Sequence, residues 1–130
     1  MGLTYVWVKV ANPAKPQKTA RLRMLVDSGA GYSVVPGALL GKLGIHPHRE
    51  RSFLLANGAE VKRQMGDATF HFHDEMASSP VIFGTPGDAA LLGVVSLETL
   101  GLILDPFQRK LLPMPMMLAA QQIGSTVNRK

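Results

Sequence analysis

The 130-residue chain has no cysteine. That excludes a disulfide scaffold, a cysteine-ligated zinc site and a thiol nucleophile, and it is compatible with a reducing compartment. No apolar run approaches the length needed to cross a bilayer, so no membrane partner is expected. The start, Met1-Gly2-Leu3-Thr4, lacks the basic and apolar segments of a secretory leader and enters a strand-like pattern at once. These absences together predict a cytoplasmic protein. Aromatic residues are scarce at 6%, while 46% of the chain is hydrophobic, an ordinary composition for one globular core. A Gly-rich phosphate loop, a Gly-x-Ser-x-Gly elbow and a His-Glu-x-x-His helix are all missing, which removes the usual signatures of nucleotide binding, serine hydrolysis and helical zinc sites.

Acidic residues are also few, 9 against 14 Lys and Arg, giving a net charge of +5. The basic residues are dispersed: Lys15, Lys18, Arg21 and Arg23 early, Arg49 and Arg51 in the middle, Arg109, Lys110, Arg129 and Lys130 late. No RNA-binding or helix-turn-helix pattern accompanies them, so they read as a solvated surface and no nucleic-acid partner is expected.

What is present is a succession of short β-prone runs. In Thr4 to Val10, Val6, Val8 and Val10 alternate with Tyr5, Trp7 and Lys9. Asn12 to Pro16, with two prolines, reads as a loop. From Thr19 the alternation resumes, with Ala20, Leu22, Met24 and Val26 on one face. At Met24-Leu25-Val26 both faces become apolar, as in a strand entering the interior. It delivers Asp27 to a partly buried place.

Tyr32 to Pro36 reads as a strand and Gly37 to Leu43 as a short helix stopped at Gly44. Ser52 to Ala56 and Ala59 to Gly66 flank Asn57-Gly58, a hairpin signal in which both turn residues would take positive φ. Its second arm is polar, so the hairpin is expected to project. Ala68 to Phe72 and Pro80 to Phe83 read as strands, His73-Asp74-Glu75 as the turn after the first of them, and Gly84 to Asp88 as a loop. Leu91-Leu92-Gly93 reads as a buried strand that leads into a helix over Val94 to Leu100, with Gly101 as its stop. Leu102 to Leu104 and Arg109 to Leu112 form a last strand pair around an Asp105-Pro106 turn. Such a pattern predicts a small all-β barrel or sandwich with one or two short helices. Residues 1–120 form one expected domain, and 121–130 a polar, frayed tail.

Three groups could carry chemistry. His71 and His73, two apart on an expected strand and next to Asp74, offer a conceivable zinc shell, but a surface strand edge explains them equally well. Asp67, Asp74, Asp88 and Asp105 read as turn acids. The cluster of Met114, Met116, Met117 and Leu118 reads as packing for a core or a subunit interface. Asp27-Ser28-Gly29 alone is a common turn tripeptide, so its context decides.

That context, Leu25 to Ala30 followed by a hairpin and then by Leu91-Leu92-Gly93 and a short helix, resembles the retroviral-type aspartic proteases (retropepsins). The resemblance spans Tyr5 to Leu112. It implies a small closed β-barrel, homodimeric, that hydrolyses peptide bonds with Asp27. In that reading Ser28, Gly29 and Ala30 support the acid, Leu55, Ala56, Asn57, Gly58 and Ala59 form the substrate flap, and Leu91, Leu92 and Gly93 supply the second motif. An aspartic protease needs two carboxylates sharing a proton. This chain has one Asp-Ser-Gly, so a second copy must supply the other. The substrate would be an extended polypeptide, and neither a metal nor an organic cofactor is implied. Two features depart from the viral pattern: Gly31 stands where an acid is common, and the tip Ala56-Asn57-Gly58 is not glycine-rich. The alternative is a non-catalytic dimerisation or peptide-binding module of the same fold. A nucleic-acid-binding barrel rests on charge alone.

Overall fold

The alternation in the first two strands builds the barrel wall. A computed structural model describes residues 2–115. Strands β1 (Tyr5–Asn12) and β2 (Lys15–Val26) pair antiparallel. They bury Val8, Val10, Met24 and Val26 and turn Tyr5, Trp7, Arg21 and Arg23 outward. The outer residues interlock: the Arg23 guanidinium lies 4.1 Å over the Tyr5 ring and that of Arg21 4.7 Å over Trp7. The expected loop at Asn12 to Pro16 contracts to the turn Pro13-Ala14, because the ladder slips between Ala11 and Asn12 and absorbs the extra residues in a bulge. Asn12 is buried there. Its Nδ2 donates to the Leu43 carbonyl (2.8 Å) and its Oδ1 accepts from the Ala14 N–H (2.8 Å).

The remaining elements are β3 (Ser33–Pro36), α1 (Gly37–Lys42), β4 (Arg49–Leu54), β5 (Glu60–Phe72), β6 (Glu75–Gly84), β7 (Leu91–Leu92), α2 (Val94–Leu100), β8 (Leu102–Asp105) and β9 (Lys110–Pro113). Pairing runs β1-β2-β7-β3-β6-β5, and β5 pairs back onto β1. The sheet therefore closes into a small barrel, and β4 extends outside the ring on the far part of β5. Two contacts are parallel, β2 with β7 and β3 with β6. Helix α1 contributes Leu40 to the core and α2 contributes Leu97 and Leu100, while Gly101 ends α2 at φ 72°. The closed all-β barrel with two short helices matches the expectation from sequence.

Several expected elements are longer in the structure. Strand β5 runs unbroken for 13 residues through Gly66, where two pieces were expected. A Cβ at Gly66 would lie 3.0 Å from the Phe83 ring and 3.1 Å from the His46 carbonyl, so glycine lets the barrel wall close at that point. Strand β6 has 10 residues rather than Pro80 to Phe83 alone. Pro80 is tolerated because it lies just before Val81, where pairing with β3 begins. His73 leaves the strand: with Asp74 it forms the turn between β5 and β6 at φ 54°, so it does not share a strand face with His71. In the separate β8–β9 pair, Asp105 Oδ1 accepts from the N–H groups of Phe107 and Gln108, the structural turn role expected of it. The expected tail 121–130, and Met116, Met117 and Leu118, lie outside the described residues. Among the described residues no helix is long and apolar enough to cross a membrane.

Phe70 is fully buried at the centre of this core. Phe70→Ala is expected to lower unfolding stability by about 3–5 kcal/mol, read from urea denaturation at neutral pH.

Candidate active site

Asp27 is the first residue past β2, and it is held by its backbone. Its N–H donates to the Leu92 carbonyl (3.0 Å), continuing the parallel β2–β7 register, and the Leu25 N–H donates to Ala90 (2.9 Å). The chain then turns. The Asp27 carbonyl accepts from the Ala30 N–H (3.1 Å), and carboxylate Oδ1 accepts from the Gly29 N–H (2.9 Å). No hydrogen bond among the described residues uses Oδ2. The side chain is half-buried, as the strand's passage into the interior predicts. Ser28 is exposed, and its hydroxyl makes no hydrogen bond among the described residues.

The second motif meets this loop directly. The Ala30 and Gly31 carbonyls accept from the Val94 (2.8 Å) and Val95 (3.0 Å) N–H groups, two donors that the first turn of α2 leaves unpaired. Between them sits Gly93. A Cβ there would lie 2.7 Å from the Tyr32 carbonyl carbon and oxygen and 2.9 Å from the Gly31 oxygen, so only glycine fits. Leu91-Leu92-Gly93, 64 to 66 residues beyond Asp27 in sequence, is thus the floor on which the Asp27 loop rests.

Beneath the floor is a hydroxyl chain that sequence reasoning missed. The Gly93 N–H donates to Ser33 Oγ (2.9 Å). Ser33 Oγ shares a hydrogen bond with Ser96 Oγ (2.6 Å), and Ser96 with Ser79 Oγ (2.7 Å). All three serines are buried. The available signal was parity: Ser33 shares its strand face with inward Val35, so its hydroxyl had to find a buried partner.

The hairpin expected as a flap is present, with a different turn. Only Gly58 takes positive φ (87°); Asn57 does not. The Gly58 N–H donates to the Leu55 carbonyl (2.9 Å), the Leu55 N–H to Ala59 (2.7 Å), and Asn57 Oδ1 accepts from the Ala59 N–H (2.9 Å). The longer connection needs one left-handed residue rather than two. Between this hairpin and the Asp27 loop runs an apolar groove of about 670 Å³. Ala30, Gly31 and Tyr32 form one side, Phe53, Leu55 and Val61 the other, and Leu91 joins them. Asp27 stands beside the groove rather than in its lining, and of the five expected flap residues only Leu55 lines it.

Both arms of the hairpin are tethered. Arg51 on β4 donates from Nη1 to Tyr32 Oη (3.0 Å), and Phe53 meets the Tyr32 ring edge-on at 6.4 Å. Arg63 on β5 clasps Asp88 with two bonds, 2.8 and 3.0 Å. Asp88 also accepts from the N–H and hydroxyl of Thr85. Asp88 therefore does more than the turn acid expected from sequence: it joins the β4–β5 hairpin to the loop before β7. The Arg63 hydrogen bond, together with Thr85, holds its carboxyl down from 3.8 to about 2 against a smaller opposing effect of burial.

The histidines do not converge. His48 Nε2 lies 3.1 Å from Asp67 Oδ2 on an exposed edge. His71 sits across from Lys9, and burial, then the Lys9 charge, lower its pKa below the usual imidazole value. Among the described residues no three His, Asp or Glu side chains are grouped to hold a metal ion.

Two outcomes test this geometry. Gly93→Ala is expected to lower stability by about 1–3 kcal/mol through the backbone clash, measured by chemical denaturation. The Asp88 carboxylate has a depressed native pKa, so its contribution is complete above about pH 4 and is lost as pH falls towards 2. With the carboxylate side chain 27% exposed, solvent screening leaves about 1 kcal/mol. The stability gap between wild type and Asp88→Asn should therefore narrow between pH 5 and pH 2; a gap constant over that range would refute the ion pair.

No protein-family model matches the chain, and no curated protein matches it. Solved structures do. The chain is similar to the EIAV protease complexed with the inhibitor HBY-793, at 19% identity over 77% of this chain and 89% of that one, with a TM-score of 0.55. It also matches the solution structure of the Simian Foamy Virus (mac) protease, at 20% identity over 72% of this chain and 92% of that one, with a TM-score of 0.48. A closed barrel in which an Asp-Ser-Gly loop rests on a Leu-Leu-Gly strand and faces a hairpin is the retropepsin-like fold, and this chain has it.

Proposed function

We propose that the chain is one subunit of a homodimeric aspartic endopeptidase. The observation that carries this reading is the Asp27 loop. Its backbone is held by Leu92 and α2, its Oδ1 is held by Gly29, and among the described residues its Oδ2 has no partner beside a hairpin-covered groove. The fold shared with the EIAV protease supports it.

One carboxylate cannot serve as both base and acid in a single step. Two Asp27 side chains, one from each copy about a two-fold axis, would share one proton, because like charges that close do not both ionise. The ionised member takes a proton from a water whose oxygen bonds to the substrate carbonyl carbon. The protonated member gives its proton to the carbonyl oxygen. As the tetrahedral adduct collapses, the carboxyl that took the water's proton gives it to the amine nitrogen, the C–N bond breaks, the other carboxylate takes a proton from one adduct hydroxyl, and a carboxylic acid and an amine leave with the dyad again sharing one proton. The two apparent pKa values belong to the pair. An extended substrate lies between the loop and the hairpin, bonded through its main chain like an added strand. In this reading Ser28, which is exposed in the single chain, bonds across the two-fold, and Gly29 allows close approach of the two loops.

Asp27→Asn should reduce peptide cleavage by about 10³-fold or more, with the unfolding midpoint and the sedimenting mass unchanged. Cleavage that persists in this variant would exclude Asp27 as the acid. A wild-type protein that binds peptides and cleaves none would favour the non-catalytic module.

A further inference from the structure

The hairpin that covers the groove places two arginines directly opposite one another: Arg51 on β4 is the register partner of Arg63 on β5, and both line the groove. Like charges at paired positions repel, so such an arrangement calls for neutralisation. Arg63 has it in the two-bond clasp of Asp88. Arg51 does not. Among the described residues it meets no carboxylate, and its one partner is the neutral Tyr32 hydroxyl. Its neighbour Glu50 belongs to the other face of the hairpin by strand alternation. The Arg51 guanidinium also lies 5.6 Å from the Tyr32 ring centroid, and its one hydrogen bond among the described residues leaves most of its N–H donors unused.

Among the described residues, an otherwise apolar groove thus carries one cation with no carboxylate partner, bonded to Tyr32 and lining the groove together with Ala30 and Gly31. We propose that this groove selects polypeptides with an acidic side chain at the position that passes Arg51, next to an apolar side chain seated against Phe53 and Val61. The inference rests on the reading of the groove as a peptide site and specifies which peptides it takes. Arg63 cannot do the same work, since Asp88 already occupies the donors it turns to that side. A glutamate or aspartate carboxylate would form a charge-assisted pair with Arg51 and relieve its repulsion with Arg63. A lysine would add a third cation.

The test separates binding from turnover. Capped ten-residue peptides with a fixed apolar centre carry Glu, Gln or Lys at each flanking position in turn, and their affinities are measured on the Asp27→Asn protein. At one position Glu should bind about 10-fold more tightly than Gln, and Lys more weakly than either. The Glu advantage should shrink as salt rises. It should vanish when Arg51→Gln is added, survive in part with Arg51→Lys, and persist with Tyr32→Phe, which loosens the same tether without removing the charge. Equal affinity for Glu and Gln at every position, an advantage that survives Arg51→Gln, or no binding of any peptide overturns the proposal. Wild-type cleavage is scored on the same peptides. A Glu advantage in binding with no cleavage of any peptide would reject the hydrolytic reading and leave the Arg51 subsite standing.

Discussion

The site depends on one close approach of backbone to backbone. Gly93 passes so near the Gly31 and Tyr32 carbonyls that no side chain fits between them. That proximity lets Leu92 accept from the Asp27 N–H and lets the first N–H groups of α2 bond to Ala30 and Gly31. The catalytic candidate is therefore positioned by main chain, which has few conformations, rather than by its own rotamer. The parallel β2–β7 pairing places the two segments side by side, and closure of the barrel holds them there.

The polar groups beneath this contact extend the same constraint. Ser33 takes the Gly93 N–H and passes the connection through Ser96 to Ser79, so strands β3 and β6 and helix α2 meet at one buried hydroxyl chain. Buried hydroxyls are unfavourable when unpaired and geometrically demanding when paired. Their presence under Gly93 makes alternative packings of α2 against the barrel less favourable than the one observed.

Above the contact, the hairpin is tied at its base and free at its tip. Arg51 and Phe53 hold β4 to Tyr32, and Arg63 holds β5 to Asp88. Leu54, 76% exposed, and the turn beyond it carry no comparable tether among the described residues. Asp88 is the hinge of the electrostatics: it neutralises one arginine of an opposed pair and leaves the other charged in the groove.

Much of this was readable in the chain. Period-two alternation identified β1, β2 and the inner face of β5, and glycine stops identified both helices, because these patterns depend on neighbours close in sequence. The Asp27 motif and Leu91-Leu92-Gly93 were each visible, and their order pointed to the fold. Local signals misjudged the lengths of β5 and β6, since Gly66 and Pro80 break isolated strands but are accommodated where other strands supply or release the pairing. The metal reading set His73 on one strand face with His71, although the turn expected at His73-Asp74-Glu75 is the one that forms, and the Asn-Gly signal gave Asn57 a left-handed conformation that a longer turn does not require. The bond from Gly93 to Ser33 and the Arg63–Asp88 pair were not legible, because their partners lie 60 and 25 residues apart and meet only as the barrel closes. Alternation and turn chemistry, which act over a few residues, determined which elements form and which acid ends β2. Only the closed barrel decided that Gly93 would lie under that acid and that Arg51, in the groove, would meet no carboxylate among the described residues, because contacts of that range exist only once the ends of the sheet have met.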